Sequence, residues 1–196
     1  MDNEIVIALI GVGATLAGTI LGWFLNSLSN QGKLNVFVVK WNDELMKNDA
    51  GEMNPALAKN EVEYYGYHCS LDIYNSSGST KIMRNIHIVF SDGKTELKKS
   101  VPLDDATRLV TGQYTPIHYD EIGVINIPPK SVMTINFHNG IWDYDGQEGK
   151  LDFLWNTKSI KVQYNNEKNI TKKIKVKDVN FLNSFKKQTQ EEKDNG

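Results

Sequence analysis

An uncharged apolar segment near the amino terminus constrains this chain more than any other feature. Ile5–Leu25 contains no Asp, Glu, Lys or Arg, and eleven of its residues are Ile, Val, Leu or Phe. The hydrocarbon core of a bilayer is about 30 Å thick and needs roughly 20 apolar helical residues to cross it. With a rise of about 1.5 Å per residue, a helix formed by this segment is long enough to cross that core. We therefore predict a single transmembrane helix, with residues 1–28 as a membrane anchor.

The flanks of the segment predict its orientation. Met1–Glu4 is acidic, unlike the basic start of a cleaved signal peptide, and no small-residue cleavage pattern follows the segment. Lys33, Lys40 and Lys47 lie on its carboxyl-terminal side, and lysine near a membrane helix favours the cytoplasmic side. We expect a single-pass protein of the cell membrane, with its N-terminus outside and its C-terminal domain cytoplasmic. The reversed topology is the alternative.

Small residues form a stripe along one face of the predicted helix. At about 100° per residue, five positions lie close to one line along the helix axis. These helix-packing candidates are Gly11, Ala14, Thr15, Gly18 and Gly22. Small residues let two helix backbones approach closely, and Gly18 and Gly22 have the GxxxG spacing. The stripe predicts a homodimer through the transmembrane helix, and the general frequency of glycine in membrane helices is the alternative explanation.

Composition narrows the function of the remaining chain. The formal net charge is −2, and Asp2 and Glu4 account for both units, so the rest of the chain is balanced. A balanced domain has no general attraction for nucleic acid, which we therefore exclude as a partner. The single cysteine, Cys69, excludes an internal disulfide framework. About 165 residues follow the anchor, which suits one domain with a sizeable core.

Alternating apolar and polar residues predict β-strands after the anchor. In Tyr64–Asn75, the side chains of Tyr67, Cys69, Leu71 and Ile73 fall on one face. Asp92-Gly93 predicts a hairpin turn between two further strands, and Asn165-Asn166 predicts the last hairpin turn. The other predicted strands are Leu34–Trp41, Thr80–Ser91, Thr95–Val101, Val124–Ile127, Ser131–His138, Leu151–Trp155, Ser159–Tyr164 and Ile170–Lys177. Long loops are predicted at Asn42–Glu63 and Pro102–Gly123, and a short helix around Phe181–Phe185.

This pattern predicts an all-β fold, an immunoglobulin-like antiparallel β-sandwich of about eight strands. The Ile-Pro-Pro-Lys-Ser turn before the strand at Ser131–His138 resembles segments of many such domains. A closed or partly open β-barrel is the alternative fold. The predicted organisation is an anchor at 1–28, a juxtamembrane neck at 29–33, a sandwich at 34–178 and a polar tail at 179–196.

The sequence contains none of the common catalytic or metal-binding motifs that we sought. GxxxxGK[ST], GxSxG, HExxH and CxxC do not occur. His68, His87, His118 and His138 are far apart in the chain, so no local metal-ligand spacing exists. We expect His68, His87 and His138 to be solvated on outward strand faces. Asp143–Glu148 resembles only the start of a calcium loop. No catalytic residue, cofactor or metal site is predicted.

Charged residues outside these motifs are predicted to be solvated. Asp104, Asp105 and Arg108 lie in a predicted loop, where exposed charge is the expected state rather than an acid–base pair. The final strand carries four lysines, which are Lys172, Lys173, Lys175 and Lys177. We interpret them as protection of an edge strand against aggregation. Attraction to anionic lipid is the alternative.

Two loops hold the predicted recognition surface. Their aromatic and histidine residues are Tyr114, His118, Tyr119, Trp142 and Tyr144. Loops on a rigid scaffold commonly carry recognition, and Tyr and Trp are favoured interface anchors. Capping of the core is the alternative role for Trp142.

Together these features predict a bacterial membrane-anchored binding or regulatory module rather than an enzyme. Its expected partners are membrane lipid and another protein. The layout resembles that of small accessory proteins encoded by prophages or mobile elements, including phage-resistance factors. One alternative is an extracytoplasmic envelope-binding or phage-exclusion protein. A second is a hydrolase with a site assembled across strands, which requires a concave pocket lined by histidine and carboxylates.

Overall fold

A long helix precedes ten β-strands in the computed structural model, which describes residues 3–112, 116–143, 149–183 and 185. The helix α1 is Asn3–Asn30. The strands are β1 (Leu34–Asp49), β2 (Glu52–Pro55), β3 (Tyr64–Asn75), β4 (Lys81–Ser91), β5 (Glu96–Ser100), β6 (Leu103–Asp104), β7 (Ile125–Ile127), β8 (Val132–Trp142), β9 (Ser159–Asn166) and β10 (Thr171–Asp178). A four-residue helix, α2 (Phe153–Asn156), and two 3-10 turns, Lys59–Glu61 and Asp105–Thr107, complete the elements.

The strands form two antiparallel sheets that pack face to face. The first sheet has the order β2-β1-β3-β8-β6. The second has the order β10-β9-β4-β5, and the short strand β7 also pairs with β4. This arrangement confirms the predicted immunoglobulin-like sandwich preceded by one apolar helix, and it is not the closed barrel that was the alternative.

The alternating residues of the central strands form the core. Tyr67, Cys69, Leu71 and Ile73 of β3 are all buried, as their spacing predicts. In β4 the buried face includes Phe90, whose ring lies edge-on to Tyr67 with 6.4 Å between centroids. Fully burying one such side chain contributes roughly 1.5–3 kcal/mol, so these faces hold the two sheets together.

The predicted loop at Asn42–Glu63 is wrong in part, because β1 continues to Asp49 and β2 follows it. Residues 42–49 are too polar to predict a strand. They are nevertheless paired, because β1 pairs with β3 from Leu34 to Met46 and with β2 from Met46 to Asp49. A left-handed turn at Ala50 and Gly51 then returns the chain into β2.

Three smaller predictions differ from the structure. The predicted strand Leu151–Trp155 is wrong. Leu154 lies in the short helix α2, whose turn buries it in the core together with Leu151. The predicted loop at Pro102–Gly123 contains β6 and the Asp105–Thr107 turn. The final hairpin does not turn at Asn165-Asn166: β9 includes both residues, and the turn closes where the Asn166 N–H donates to the Ile170 carbonyl.

Candidate functional site

The helix α1 is long and apolar enough to span a membrane, and none of its residues is buried against the sandwich. The predicted packing stripe lies open on its surface. A Cβ added at Gly11, Gly18 or Gly22 would meet no heavy atom within 4 Å. The Thr15 hydroxyl donates to the Gly11 carbonyl at 2.8 Å, which hides its polar hydrogen along the same stripe. This face is therefore accessible to a second helix.

The end of α1 is bonded to one turn of the sandwich. The Gly78 N–H donates to the Ser29 carbonyl at 2.8 Å, and the Ser76 N–H donates to the Lys33 carbonyl at 3.1 Å. The Ser76 hydroxyl accepts from the Lys33 N–H at 3.0 Å. A Cβ at Gly32 would overlap the backbone of Ser76, so the two segments touch backbone to backbone. The sandwich is thus held directly at the end of the helix, without a free linker.

A cavity of about 1110 Å³ lies beside this junction, between α1 and the strands. Its lining contains five lysines, which are Lys33, Lys81, Lys168, Lys172 and Lys173. Lys81 is paired with Glu167 at 2.8 Å. Burial is the largest single influence on the Glu167 carboxyl and raises its pKa. The hydrogen bonds from Lys81 and from the Glu167 backbone N–H, together with the charges of Lys81 and Lys168, outweigh burial, so the pKa lies below its ordinary value. The cavity is therefore predominantly basic at the helix end of the sandwich.

The lysine-rich final strand, β10, forms one edge of the second sheet, as its interpretation as an edge strand requires. Lys177 reaches across to the first sheet and pairs with Asp43 at 2.8 Å. Lys175 pairs with Asp178 at 2.6 Å, and Lys173 pairs with Glu96. These pairs neutralise much of the charge of the strand.

Two histidines that are distant in sequence meet on the outer face of the first sheet. His68 of β3 and His138 of β8 are direct partners in the antiparallel ladder. Their rings stack with 5.1 Å between centroids and an interplanar angle of 18°. Asp105 joins them, because β6 pairs with β8 and the chain then enters the Asp105–Thr107 turn. Within the described residues, His68, Asp105 and His138 are the one group of potential metal ligands.

The local environment orients this histidine–aspartate cluster. The Nδ1 atom of His138 is in hydrogen-bond contact with Oδ1 of Asp105. The Tyr119 ring stands edge-on to His138, with centroids 4.4 Å apart. The side chain of His138 is only 19% exposed and that of Asp105 32%. His138 and Asp105 therefore differ from the solvated residues that the sequence predicts, whereas His68 is exposed as expected.

A small concave site adjoins the cluster. It has a volume of about 250 Å³, and His68 and Asp105 are part of its lining. The remaining lining residues are Lys40, Asn42, Cys69, Ser70 and Asn136. The Ser70 hydroxyl contacts the Asn136 amide oxygen across β3 and β8. Sequence reasoning missed this site, because its parts come from three strands, β1, β3 and β8, and one turn. The only signal was that His68 and His138 both occupy outward positions.

The predicted recognition residues do not form one group in the structure. Tyr119 lies over His138, and His118 lies beside it with an exposed side chain near Asp120. Trp142 packs on Tyr64 at 4.5 Å, at the end of β8 that points away from the helix. Tyr114 and Tyr144 lie outside the described residues. The described members thus occupy two separate places on the first sheet.

Comparison with known proteins identifies the sandwich. The family model for the YopI Ig-like domain matches residues 32–177. The SPbeta prophage-derived uncharacterized protein YopI of Bacillus subtilis is 27% identical over 142 residues, which are 69% of this chain and 78% of that protein.

Two solved structures show weaker likeness. A β-sandwich protein from Clostridium difficile 630 is 17% identical, with 74% of this chain and 86% of that chain covered and a TM-score of 0.30. The putative ApaA protein of Bordetella pertussis is 10% identical, with 76% and 93% covered and a TM-score of 0.30. TM-scores of 0.30 are too low to support any inference about this chain.

Proposed function

The chain belongs to the YopI Ig-like domain family, and from this membership and its apolar helix we propose that it is a membrane-anchored, prophage-associated binding module. One observation carries the proposal. A helix of 28 residues, none of them buried, leads directly into the family domain. The related YopI is prophage-derived, which supports the prophage association. We propose a role in binding rather than in catalysis.

The free energy of the exposed helix supports the anchor. Of the eleven Ile, Val, Leu and Phe side chains of Ile5–Leu25, ten are exposed and Val6 is half-buried. In water, each forgoes roughly 1.5–3 kcal/mol of burial free energy. The sum exceeds the net stability of a typical domain, about 5–15 kcal/mol. A bilayer supplies the missing apolar surroundings.

Fractionation of cells tests the anchor. Full-length chain should sediment with membranes, resist extraction at high salt and alkaline pH, and enter solution only with detergent. Ala14→Arg should release a large fraction, because an arginine at the centre of a helix costs about 2.5–3.5 kcal/mol on insertion. Recovery of the unmodified chain in the aqueous fraction without detergent would refute the anchor.

The lysines after the helix favour a cytoplasmic sandwich, and cysteine labelling tests this topology. Cys69 is buried, so we expect a maleimide not to label it in the folded chain. In Asn126→Cys, the new thiol replaces an exposed side chain of β7. An impermeant maleimide should label this variant only after cells are permeabilised. Labelling in intact cells would instead establish the extracytoplasmic alternative, an envelope-binding or phage-exclusion protein.

The basic cavity at the helix end supports membrane lipid as one partner. The hydrogen bond from the Gly78 N–H to the Ser29 carbonyl joins the sandwich to the end of the helix. With the helix in a bilayer, the cavity lysines would lie near the membrane surface, where each nearby lysine contributes about 1 kcal/mol toward anionic lipid. Native mass spectrometry of the detergent-solubilised chain should show retained phosphatidylglycerol in preference to phosphatidylcholine. The double variant Lys168→Gln, Lys172→Gln should lose this preference. The control, Lys94→Gln with Lys99→Gln, alters lysines elsewhere and should keep it.

The outer face of the first sheet is the proposed protein-binding surface. Phe37 of β1 is 59% exposed, and Tyr119 covers His138 on the same sheet. Photo-crosslinking residues introduced at Phe37 and Tyr119 should each capture the same discrete partner in cells. The same group at Lys94, in the β4–β5 turn, should not capture it. Equal crosslinking at all three positions would contradict a specific surface.

The layout of a membrane anchor followed by one small domain favours phage resistance as the biological role of the module. Expression in a susceptible host should lower the number of plaques formed by an infecting phage. Ala14→Arg should abolish this protection if the module acts at the membrane. Protection that survives loss of membrane localisation would show that the anchor is dispensable.

The open small-residue stripe supports a homodimer. Gly18→Leu should reduce the yield of crosslinked dimer in membranes, because leucine prevents close approach of two backbones. Gly13 lies about 200° around the helix from Gly11, on the opposite face, so Gly13→Leu is the matched control and should leave the yield unchanged. An equal effect of both variants would contradict packing through this face.

A further inference from the structure

We propose that His68, Asp105 and His138 bind a divalent transition-metal ion of the zinc class. One ligand atom from each residue lies within 4.8 Å of the other two. The three ligands come from β3, β8 and the turn after β6, so the folded sandwich brings them together. Nothing in the proposed binding role requires this site, and it stands independently of the membrane anchor.

The strand register supplies two of the ligands with little reorganisation. His68 and His138 face each other directly across β3 and β8, where opposed Cβ atoms are about 4.5–5.5 Å apart. Zinc binds imidazole nitrogen at about 2.0–2.1 Å, so two ligand atoms of a tetrahedral site lie roughly 3.4 Å apart. The ligand atoms lie within 4.8 Å of one another, so this pair must approach by at most about 1.4 Å. The backbone ladder remains intact.

The third ligand is held by a capped turn. The Asp104 side chain accepts from the Ala106 N–H at 2.9 Å, and the Thr107 hydroxyl donates to the Asp104 carbonyl at 2.8 Å. These bonds fix the turn in which Asp105 lies. Its carboxylate already contacts Nδ1 of His138, so an oxygen and a nitrogen donor are adjacent. An ion bound by both atoms requires them to move apart, from hydrogen-bond contact to roughly 3.4 Å. The Tyr119 ring restricts rotation of the His138 ring.

The donor set selects the class of ion. Two imidazoles and one carboxylate suit zinc and its neighbours in the first transition row, whereas Ca²⁺ and Mg²⁺ prefer sites built from oxygen alone. Cys69 is adjacent to His68 in sequence but points into the core, so no thiolate is available. Three protein ligands leave a fourth position open.

The surroundings indicate what fills the fourth position. The adjoining cavity of about 250 Å³ offers hydroxyl and amide groups from Ser70 and Asn136 and the ammonium group of Lys40. Lys40 lowers the affinity for the bare cation, because like charges repel. It also favours an anion over water as the fourth ligand. We therefore expect weaker binding than at a closed four-ligand zinc site, with strengthening by a small carboxylate.

Metal titration of the full-length, tag-free chain in detergent tests the site. Calorimetry with ZnCl₂ should give one ion per chain, and MgCl₂ should give no binding heat. Loss of a direct ligand should weaken zinc binding by roughly tenfold or more, since even outer-shell changes cost 10–100-fold. We expect this loss for His68→Ala, for His138→Ala and for Asp105→Asn. The matched control is His87→Ala, which removes a histidine of the second sheet and should bind as the unmodified chain does.

Cobalt gives a second measurement. Co²⁺ bound to the cluster should produce visible absorption bands of a low-coordinate nitrogen–oxygen site, absent from His138→Ala. Circular dichroism establishes that each variant is folded. If the unmodified chain binds no stoichiometric zinc, or if the three ligand variants bind it as tightly as His87→Ala, the proposal is wrong.

Discussion

Asn75 is the polar residue whose removal should destabilise the sandwich most clearly. It lies at the end of β3 and is completely buried. Its Nδ2 group donates to the carbonyls of Ser79, Ile127 and Pro128 at 2.8, 3.0 and 3.0 Å. Its Oδ1 atom accepts from the N–H and the hydroxyl of Ser77 at 2.9 and 2.7 Å. One side chain thus joins β3, β7 and the turn that contacts α1.

The expected loss follows from the bonds. The amide group has two hydrogens, shared among three carbonyls, and its oxygen accepts two bonds, so about four hydrogen bonds are at stake. Each contributes about 1 kcal/mol net, and Asn75→Ala leaves the partners buried without them. We predict that this variant loses about 3–4 kcal/mol of unfolding free energy. At about 2–4 °C per kcal/mol, the melting temperature should fall by roughly 10 °C.

The assay is urea unfolding of the full-length chain in mild detergent, followed by near-ultraviolet circular dichroism of the core aromatic residues. The urea midpoint should fall while the slope stays constant, because the surface exposed on unfolding does not change. Asn126→Ala is the control, since Asn126 is exposed on β7 and should change stability by less than about 0.5 kcal/mol. A loss below about 1 kcal/mol for Asn75→Ala would refute this account of the junction.

Three further predictions concern packing, charge and reactivity. Gly140→Ala should cost about 1–3 kcal/mol of unfolding free energy, because the new Cβ would overlap the Tyr64 ring, which the urea midpoint measures. Burial raises the pKa of Glu167, but its hydrogen bonds and the charges of Lys81 and Lys168 together lower it below the ordinary value of 4.5. The stabilising contribution of the Lys81–Glu167 pair is therefore present above pH 4.5 and is lost as the pH falls, so Glu167→Gln should lower the urea midpoint at neutral pH and not in acid. Burial raises the pKa of the Cys69 thiol to about 12, so a maleimide should modify it only after unfolding in urea.

Each of these has a defined contrary outcome. Gly123→Ala adds a Cβ with no heavy atom within 4 Å, and a cost equal to that of Gly140→Ala would exclude overlap as the cause. A midpoint difference between Glu167→Gln and the unmodified chain that persists in acid would show that the ion pair is not responsible. Rapid modification of Cys69 in the folded chain would mean that the core opens at β3.

The helix and most strands could be predicted because their signals are local. The apolar character of Ile5–Leu25 is a property of the segment itself and does not depend on the fold of the remaining chain. The helix α1 accordingly covers this segment, from Asn3 to Asn30. In β3, the predicted bounds and the buried alternation both match the structure, since a half-buried strand repeats every second residue. The Asp92-Gly93 turn was equally predictable, because the Asp92 carboxylate accepts from the N–H groups that follow it.

The errors occur where a neighbouring strand or the core overrides the local pattern. Residues 42–49 are polar and resemble a loop, yet they complete a ladder, because β3 pairs with β1 as far as Met46 and β2 pairs with the rest. Leu151 and Leu154 resemble part of a strand, but their spacing fits one helical turn that buries both.

From the sequence alone, the apolar helix, the all-β class and the inward faces of the main strands were determined, because burial of apolar side chains has a period that can be read residue by residue. The tertiary structure decided the meeting of His68, Asp105 and His138, and also the separation of Tyr119 from Trp142. His138 lies 33 residues from Asp105, and its ladder partner His68 is still further away in the chain. Their contact depends on the register of whole strands, which is set by the sum of all the pairings in the sheet and not by the residues of the site.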